Sequence, residues 1–154
     1  MGQVTHEQVN LLLKLYDLRR EPRLRQARGW FVEKFHVTSP EEMMTKFPPG
    51  TEENTSIRMV ISYWDTVASI VNRGLIDDEF FFENTGEPWI VWDRIKVIAP
   101  TWRTTLKNPL VFANLEELCK RLEAWREKKA PGSTEAMRQM MARMTTPAAK
   151  AARE

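Results

Sequence analysis

The chain has 154 residues, of which 42% are hydrophobic and 29% charged, and its formal net charge is +2. This length lets one domain bury a hydrophobic core without disulfides or a bound metal. Cys119 is the only cysteine, so an intramolecular disulfide and a thiolate metal cluster are both excluded. The longest stretch without a charged residue, 108–115, is far shorter than the ~20 apolar residues of a membrane span. Because the N-terminus also lacks the pattern of a secretion signal, we expect a cytoplasmic protein with no membrane span.

Charge is spread unevenly along the chain. Residues 1–36, 37–119 and 120–154 carry net charges of +3, −6 and +5. The basic and acidic parts could pair within one chain or between subunits. Mixed helix surfaces are the commoner origin of such a pattern, and we prefer that interpretation.

The first three predicted helices follow from helix-start signals. Thr5 and Gln8 form a capping box, in which each side chain satisfies a free backbone amide, and the helix after them ends near residue 20. Pro22 fits the first turn of a second helix that runs to about residue 35. Ser39 is the N-cap of a short third helix, which stops before the two prolines at 48 and 49.

A long fourth helix is predicted over about 52–73, and its continuous apolar stripe makes it the central helix. Gly74 suits the left-handed position just after its end, where a Cβ would be strained. Asp77 suits the N-cap of the short fifth helix. We therefore interpret 74–77 as a tight structural corner between two helices.

A sixth helix is predicted over about 88–107, with a kink at Pro100 or a break near residue 98. An interior proline removes one backbone hydrogen bond and clashes with the preceding turn. A seventh helix begins near Asn114. Together the elements predict an all-α, irregular single-domain bundle of about seven helices over 1–129. A basic, Ala- and Met-rich tail follows over 130–154, partly a frayed helix over 134–144 and disordered beyond 147.

The residue types give no catalytic, metal or cofactor signature. His6 and His36 are the only histidines, and neither lies three residues after a glutamate, as a di-iron helical bundle requires. The acidic residues at 77–83 belong to the first turn of a helix and lack calcium-loop spacing. No nucleophile elbow or phosphate-binding glycine loop is present, and Cys119 is expected in the core. We expect no catalytic residue, no metal and no cofactor.

Arginines near the N-terminus are the best candidates for contact with nucleic acid. Arg19, Arg20 and Arg23 would lie near one another on a continuous helix, but Pro22 interrupts it. A solvated helix surface is the preferred interpretation. Nucleic-acid binding that also uses the basic tail is possible but not favoured.

Three consecutive phenylalanines, Phe80, Phe81 and Phe82, cover an arc of ~200° on a helix, which is too wide for one core stripe. Either one ring is exposed and forms an interface, which predicts a homodimer, or the short helix packs on two sides. Both interpretations remain open from the sequence.

Two charged residues adjoin predicted core tryptophans. Asp65 follows Trp64 on the central helix, and Arg103 follows Trp102 after Pro100. If they are buried, each needs a partner, so they form a possible buried polar pair or pocket.

Scattered residues over about 8–127 resemble a family of small, uncharacterised bacterial helical proteins that is catalogued as a domain of unknown function. The resemblance is carried by the segments 15–22, 63–65, 74–77 and 92–95, and by Arg103, Asn108-Pro109 and Phe112. It implies the same helical fold, and a proline at the position of Pro100 favours the kink. It supplies no activity and no catalytic residue.

Three functional hypotheses follow from the sequence. The leading one is a non-catalytic protein-interaction or scaffold domain that self-associates, with a protein partner that the residues do not identify. The alternatives are a nucleic-acid-associated regulator that uses the basic N-terminal region and the tail, and an enzyme with an unrecognised polar pocket around Asp65 or Arg103.

Overall fold

The computed structural model describes residues 2–144, and within them every regular element is an α-helix. In chain order these are α1 (His6–Leu18), α2 (Pro22–Lys34), α3 (Pro40–Lys46), α4 (Glu52–Asn72), α5 (Asp78–Asn84), α6 (Glu87–Ile95), α7 (Ala99–Thr105), α8 (Ala113–Lys129) and α9 (Ser133–Met144). The all-α prediction is confirmed. The described residues hold nine helices rather than about seven, since the predicted sixth helix is two helices and the tail contributes α9.

Helix caps lie where the sequence predicts them, with one difference. Thr5 accepts a hydrogen bond from the backbone amide of Gln8 (3.2 Å), and Ser39 accepts one from Glu42 (3.1 Å). The Gln8 side chain, however, does not close a capping box on Thr5. Its Oε1 accepts from the backbone amide of Asp77 (2.9 Å), so it ties the start of α1 to the start of α5.

The corner between α4 and α5 is a Schellman motif. Gly74 has φ +75°, its amide donates to Val71 O (2.9 Å), and the next amide, of Leu75, donates to Ile70 O (3.4 Å). Asp77 then accepts from the amide of Phe80 (3.0 Å) as the N-cap of α5. These bonds satisfy two of the free carbonyls of α4 and a free amide of α5 within a few residues.

Pro100 breaks the predicted kinked helix instead of bending it. The expectation of one helix over 88–107 is wrong: α6 ends at Ile95, α7 begins at Ala99, and a turn closed by Ile98 N to Ile95 O (2.9 Å) joins them. A proline lacks the amide that would continue the helix and pushes against the carbonyl four residues back, so the chain ends one helix and starts another. The alternative of a break near residue 98 matches this geometry.

α4 is the central helix, because it packs against α2 on one side and α8 on the other. Its buried stripe is formed by Ile57, Val60, Ile61, Trp64, Val67, Ala68 and Val71. Burial of each large apolar side chain contributes about 1.5–3 kcal/mol before entropy costs. This stripe therefore supplies much of the cohesion of the bundle.

α9 packs on the bundle as an ordered helix. Thr134 and Met141 are buried, and Arg138 contacts Asp93 of α6 (Nη2 to Oδ1, 3.2 Å). Its guanidinium also lies 5.5 Å from the ring centroid of Trp89. The disorder expected beyond residue 147 lies outside the described residues, and the division of the chain at residue 130 stays a prediction.

Ion pairs join the basic C-terminal part of the chain to its acidic middle. Lys129 contacts Glu79 (2.5 Å) and Arg121 contacts Asp78 (2.9 Å), both within one chain. Among residues 2–144, none of the helices combines the length and apolar character that crossing a membrane requires.

Candidate interaction surface

One group of polar side chains is committed to holding the helices together. Arg28 of α2 forms a two-point contact with Glu87 of α6 (Nε to Oε1 2.8 Å, Nη2 to Oε2 2.5 Å). The indole of Trp64 donates to the same carboxylate (3.0 Å). Both charged side chains are only 16% exposed. Such a paired contact fixes orientation as well as distance, so it locks α2, α4 and α6 together.

Arg94 is a buried cation that caps the end of α2. Its Nη1 donates to the backbone carbonyls of Phe31 (2.7 Å), Val32 (2.7 Å) and Phe35 (3.0 Å), and the residue is 8% exposed. Burial lowers the pKa of Arg94, while the charge of neighbouring Asp93 opposes that shift. Carbonyls at a helix C-terminus carry partial negative charge, so this end of α2 stabilises the guanidinium.

Asp65 and Arg103 do not meet, but both hold the segment that leads into α8. Asp65 accepts a hydrogen bond through Oδ1 from the amide of Leu115 (3.0 Å). Arg103 donates from Nε to Val111 O (2.9 Å) and from Nη2 to Glu116 (2.7 Å). Burial raises the pKa of Asp65, and the hydrogen bond from Leu115 opposes that effect. Asp65 therefore acts as an N-cap of α8 supplied by another helix.

A pocket of about 360 Å³ opens beside Asp65, between α4 and the segment after α7. We name it the α4–α7 pocket. Its polar side chains come from α4 and its apolar ones mostly from α7 and residues 106–112. The lining residues are Arg58, Ile61, Ser62, Asp65, Thr66, Trp102, Leu106, Leu110, Val111 and Phe112.

The segment 106–112 presents apolar side chains to solvent from a constrained backbone. Leu106 is 62% exposed and Leu110 is 73% exposed, the highest value among the large apolar residues of the described chain. Lys107 (φ +50°) and Phe112 (φ +58°) adopt the left-handed conformation, which is costly for residues with a Cβ. Asn108 Oδ1 accepts from the amide of Leu110 (2.9 Å), which helps to hold the turn. Lys107 is the C′ residue of a Schellman motif, since its amide donates to Thr104 O (3.1 Å) and that of Asn108 to Arg103 O (3.0 Å). The exposed leucines beside the pocket make this segment the strongest candidate on the surface.

The three phenylalanines of α5 offer no exposed ring. Phe81 is 1% and Phe82 7% exposed, and Phe82 packs 5.7 Å from the ring centroid of Trp125. Phe80 is partly buried against the core. This burial agrees with the alternative in which the short helix packs on two sides. The other alternative, an exposed ring at 80–82, is not found. Self-association stays a prediction and requires a different surface.

The three arginines at the N-terminal end have different surroundings, and their contact with nucleic acid stays a prediction. The guanidinium of Arg19 lies 4.0 Å from the ring centroid of Tyr16, while Arg20 is exposed. Arg23 lines a groove of about 280 Å³ together with Glu52 and Glu53, whose carboxylates would repel a phosphate.

Cys119 is buried, and burial raises the pKa of its thiol, which disfavours the reactive thiolate. His6 and His36 are exposed. Within residues 2–144, no three or more His, Cys, Asp or Glu side chains are grouped so that they could hold a metal ion.

The role of Arg94 and the apolar wall of the α4–α7 pocket were not predicted from the sequence, although the pocket opens beside Asp65, one of the two residues around which a pocket was expected. Nothing in the spacing of Arg94 distinguishes a buried cap from an exposed cation. The pocket did leave a signal, because its outer wall lies in the longest uncharged stretch, 108–115, which combines an Asn-Pro turn with Leu110 and Phe112.

Comparison with known proteins gives one match. No curated protein and no solved structure matches the chain. A family model described as "Domain of unknown function (DUF4760)" matches residues 4–122, close to the 8–127 expected from the sequence. That range spans α1 to most of α8, including the α4–α7 pocket, and it ends before α9. The chain therefore belongs to this family of domains of unknown function.

Proposed function

We propose that the chain is a non-catalytic protein-interaction domain, and that it binds its partner through the α4–α7 pocket and the segment 106–112. The observation that carries this proposal is the exposure of Leu106 and Leu110 at the rim of an apolar-walled pocket. Exposed apolar side chains clustered around a concavity mark interaction sites, whereas isolated ones do not.

The way the segment is held supports the proposal. Val111 and Leu115, which follow Leu110, are bound through their backbone by Arg103 and Asp65. Phe112, the last residue of the segment, packs against Trp102 of α7 with ring centroids 5.3 Å apart. A leucine on a fixed backbone loses little conformational freedom when it binds, so more of its burial energy contributes to affinity.

The chemistry of the pocket favours binding over catalysis. Asp65 is its only carboxylate, and one oxygen of that carboxylate is already engaged by Leu115 N. General acid–base catalysis needs a free acid or base within reach of a substrate. An enzyme remains the second candidate, because the pocket does join Asp65 to the hydroxyls of Ser62 and Thr66.

A third candidate function is nucleic-acid binding through the basic N-terminal region and the tail. This function predicts salt-sensitive binding to DNA or RNA that is lost when residues 130–154 are removed. A cytoplasmic location also stays a proposal.

Site-specific photo-crosslinking tests the leading proposal. A photoreactive phenylalanine analogue is placed at Leu110 or, as a matched control, at Leu13 on α1, which is 60% exposed but lies outside the pocket. In the cells that naturally produce the protein, we expect discrete protein adducts from position 110 and none from position 13. Equal labelling at both positions, or no adduct at 110, would overturn the proposal.

A further inference from the structure

Two opposite charges on α4 line the α4–α7 pocket without pairing to each other. Arg58 is exposed and donates from Nε to Asn54 Oδ1 (3.1 Å), one turn back. Asp65 uses one carboxylate oxygen for Leu115 N (3.0 Å). Within the described part of the chain, neither side chain forms an ion pair. A half-buried carboxylate with an oxygen to spare is a strong acceptor for an external cation.

The spacing of these charges is self-complementary. Arg58 and Asp65 are seven residues apart, so they lie on the same side of α4 and about 10 Å from each other along its axis. Ser62 stands between them and is exposed, and its small side chain allows close approach of another helix. An antiparallel helix with a cation and an anion at the same separation would satisfy both charges.

The second copy of this chain is such a partner. We propose that the protein forms a two-fold dimer in which two antiparallel α4 helices cross near Ser62, and Arg58 of each copy enters the α4–α7 pocket of the other to pair with Asp65. Two-fold symmetry makes this contact reciprocal, so one type of ion pair forms twice. The inference rests on the proposed function, since it names the partner of that same surface.

The pocket has the chemistry that a guanidinium requires. Trp102 and Phe112 supply aromatic faces, on which a guanidinium stacks, and Asp65 supplies a planar carboxylate for a two-point contact. Leu106 and Leu110 at the rim would lose their exposure against the second copy. The dimer would thus bury both the unpaired charges and the most exposed leucines.

Charge exchange between two variants tests the dimer. Sedimentation equilibrium is measured for the wild type, for Arg58→Glu, for Asp65→Lys and for an equal mixture of the two variants. Each variant alone places like charges together twice, so we expect its dimer to weaken by at least about tenfold. The mixture re-forms two opposite-charge pairs, so we expect affinity near that of the wild type. A wild type that stays monomeric, or a mixture no tighter than its components, would overturn the inference.

A second comparison keeps the test valid if Asp65→Lys disturbs the N-cap of α8. Arg58→Glu is compared with Arg73→Glu, which changes an exposed arginine at the end of the same helix, outside the pocket. Only Arg58→Glu should weaken the dimer, and equal effects would count against the model. If the wild type is monomeric but still forms adducts with another protein through position 110, the dimer model is wrong and the proposed function stands. If the wild type is monomeric and forms no adduct, both the dimer model and the proposed function are wrong.

Discussion

Two regions of the molecule differ in how many hydrogen bonds and ion pairs their charged side chains make. One is the contact between α2, α4 and α6, and the other is the α4–α7 pocket. Arg28, Glu87 and Arg94 each have two or more bonds to other helices. At the pocket, Arg58 donates one hydrogen bond to Asn54 of its own helix, and Asp65 accepts one from the backbone amide of Leu115. Neither side chain pairs with an opposite charge among residues 2–144.

The apolar groups of the two regions differ in the same way. Around α4 the large side chains are buried, whereas Leu106 and Leu110 are largely exposed. The two exposed leucines line the pocket, and the left-handed residues Lys107 and Phe112 form the turn between α7 and α8. The first region joins the helices of the bundle, and the second is the surface that we propose for partner binding.

Among the variants in the contact between α2, α4 and α6, we expect Arg94→Met to lower the free energy of unfolding the most. Arg94→Met removes the donor that serves three carbonyls at the end of α2, and of these the carbonyl of Phe31 keeps a hydrogen bond from Phe35 N (3.1 Å). We expect a loss of about 3 kcal/mol in the free energy of unfolding, measured by urea denaturation. Arg20→Met, at an exposed arginine, is the control and should change stability by less than ~0.5 kcal/mol. A loss at Arg94 no larger than at Arg20 would contradict the structural role.

Glu87→Gln tests the paired contact with a nearly isosteric change. The amide keeps one acceptor oxygen, but the charged two-point contact with Arg28 and the charge-assisted bond from Trp64 are weakened. We expect a loss of about 2 kcal/mol. Glu83→Gln, at an exposed position, serves as the matched control. If both variants unfold at the same urea concentration, the contact does not hold the helices together.

Lys107→Gly should stabilise the protein by removing the steric cost of a Cβ at a left-handed position beside the pocket. At φ +50° a glycine avoids the steric cost of a Cβ, and we expect a gain of about 0.5–1 kcal/mol. Arg73→Gly, at φ −83°, is the control and should lower stability because it only adds freedom to the unfolded chain. Thermal unfolding of both variants measures the difference, and a loss at both sites would show that position 107 is not strained.

Asp65→Asn is expected to have the smallest effect on stability. Burial raises the pKa of Asp65, so its ionised form costs stability at neutral pH, and that stability returns as the pH falls through the raised pKa. Asparagine keeps an acceptor for Leu115 N without the charge. At dilutions where the protein is monomeric, we expect the free energy of unfolding to stay within ~0.5 kcal/mol of the wild type or to rise. A loss as large as that of Glu87→Gln would place Asp65 among the structural groups.

Local sequence signals predicted much of the fold and little of the candidate site. The caps at Ser39, Gly74 and Asp77 depend on neighbouring residues, so their positions could be read from the chain. Pro100 predicts an interruption of the helix, but whether the helix bends or breaks depends on how the segments before and after the proline pack. The predicted capping box paired the Gln8 side chain with Thr5 of its own helix. Its actual partner, Asp77, lies 69 positions away, and local patterns do not show such a contact.

The same limit explains why the sequence left two interpretations open at Phe80, Phe81 and Phe82. The arc of three rings is compatible with an exposed ring or with packing on two sides, and only the positions of the surrounding helices decide between them. The α4–α7 pocket joins residues from positions 58 to 112, which no local pattern connects. Its lone local sign was an uncharged stretch, which the sequence by itself does not distinguish from core.

Sedimentation velocity of two leucine variants tests whether the protein associates through the pocket surface. Leu110→Asp changes a leucine at the pocket rim, and Leu13→Asp changes one of similar exposure on α1. We expect Leu110→Asp to be monomeric at concentrations where the wild type and Leu13→Asp are dimers. Loss of the dimer in both variants, or its persistence in Leu110→Asp, would contradict it.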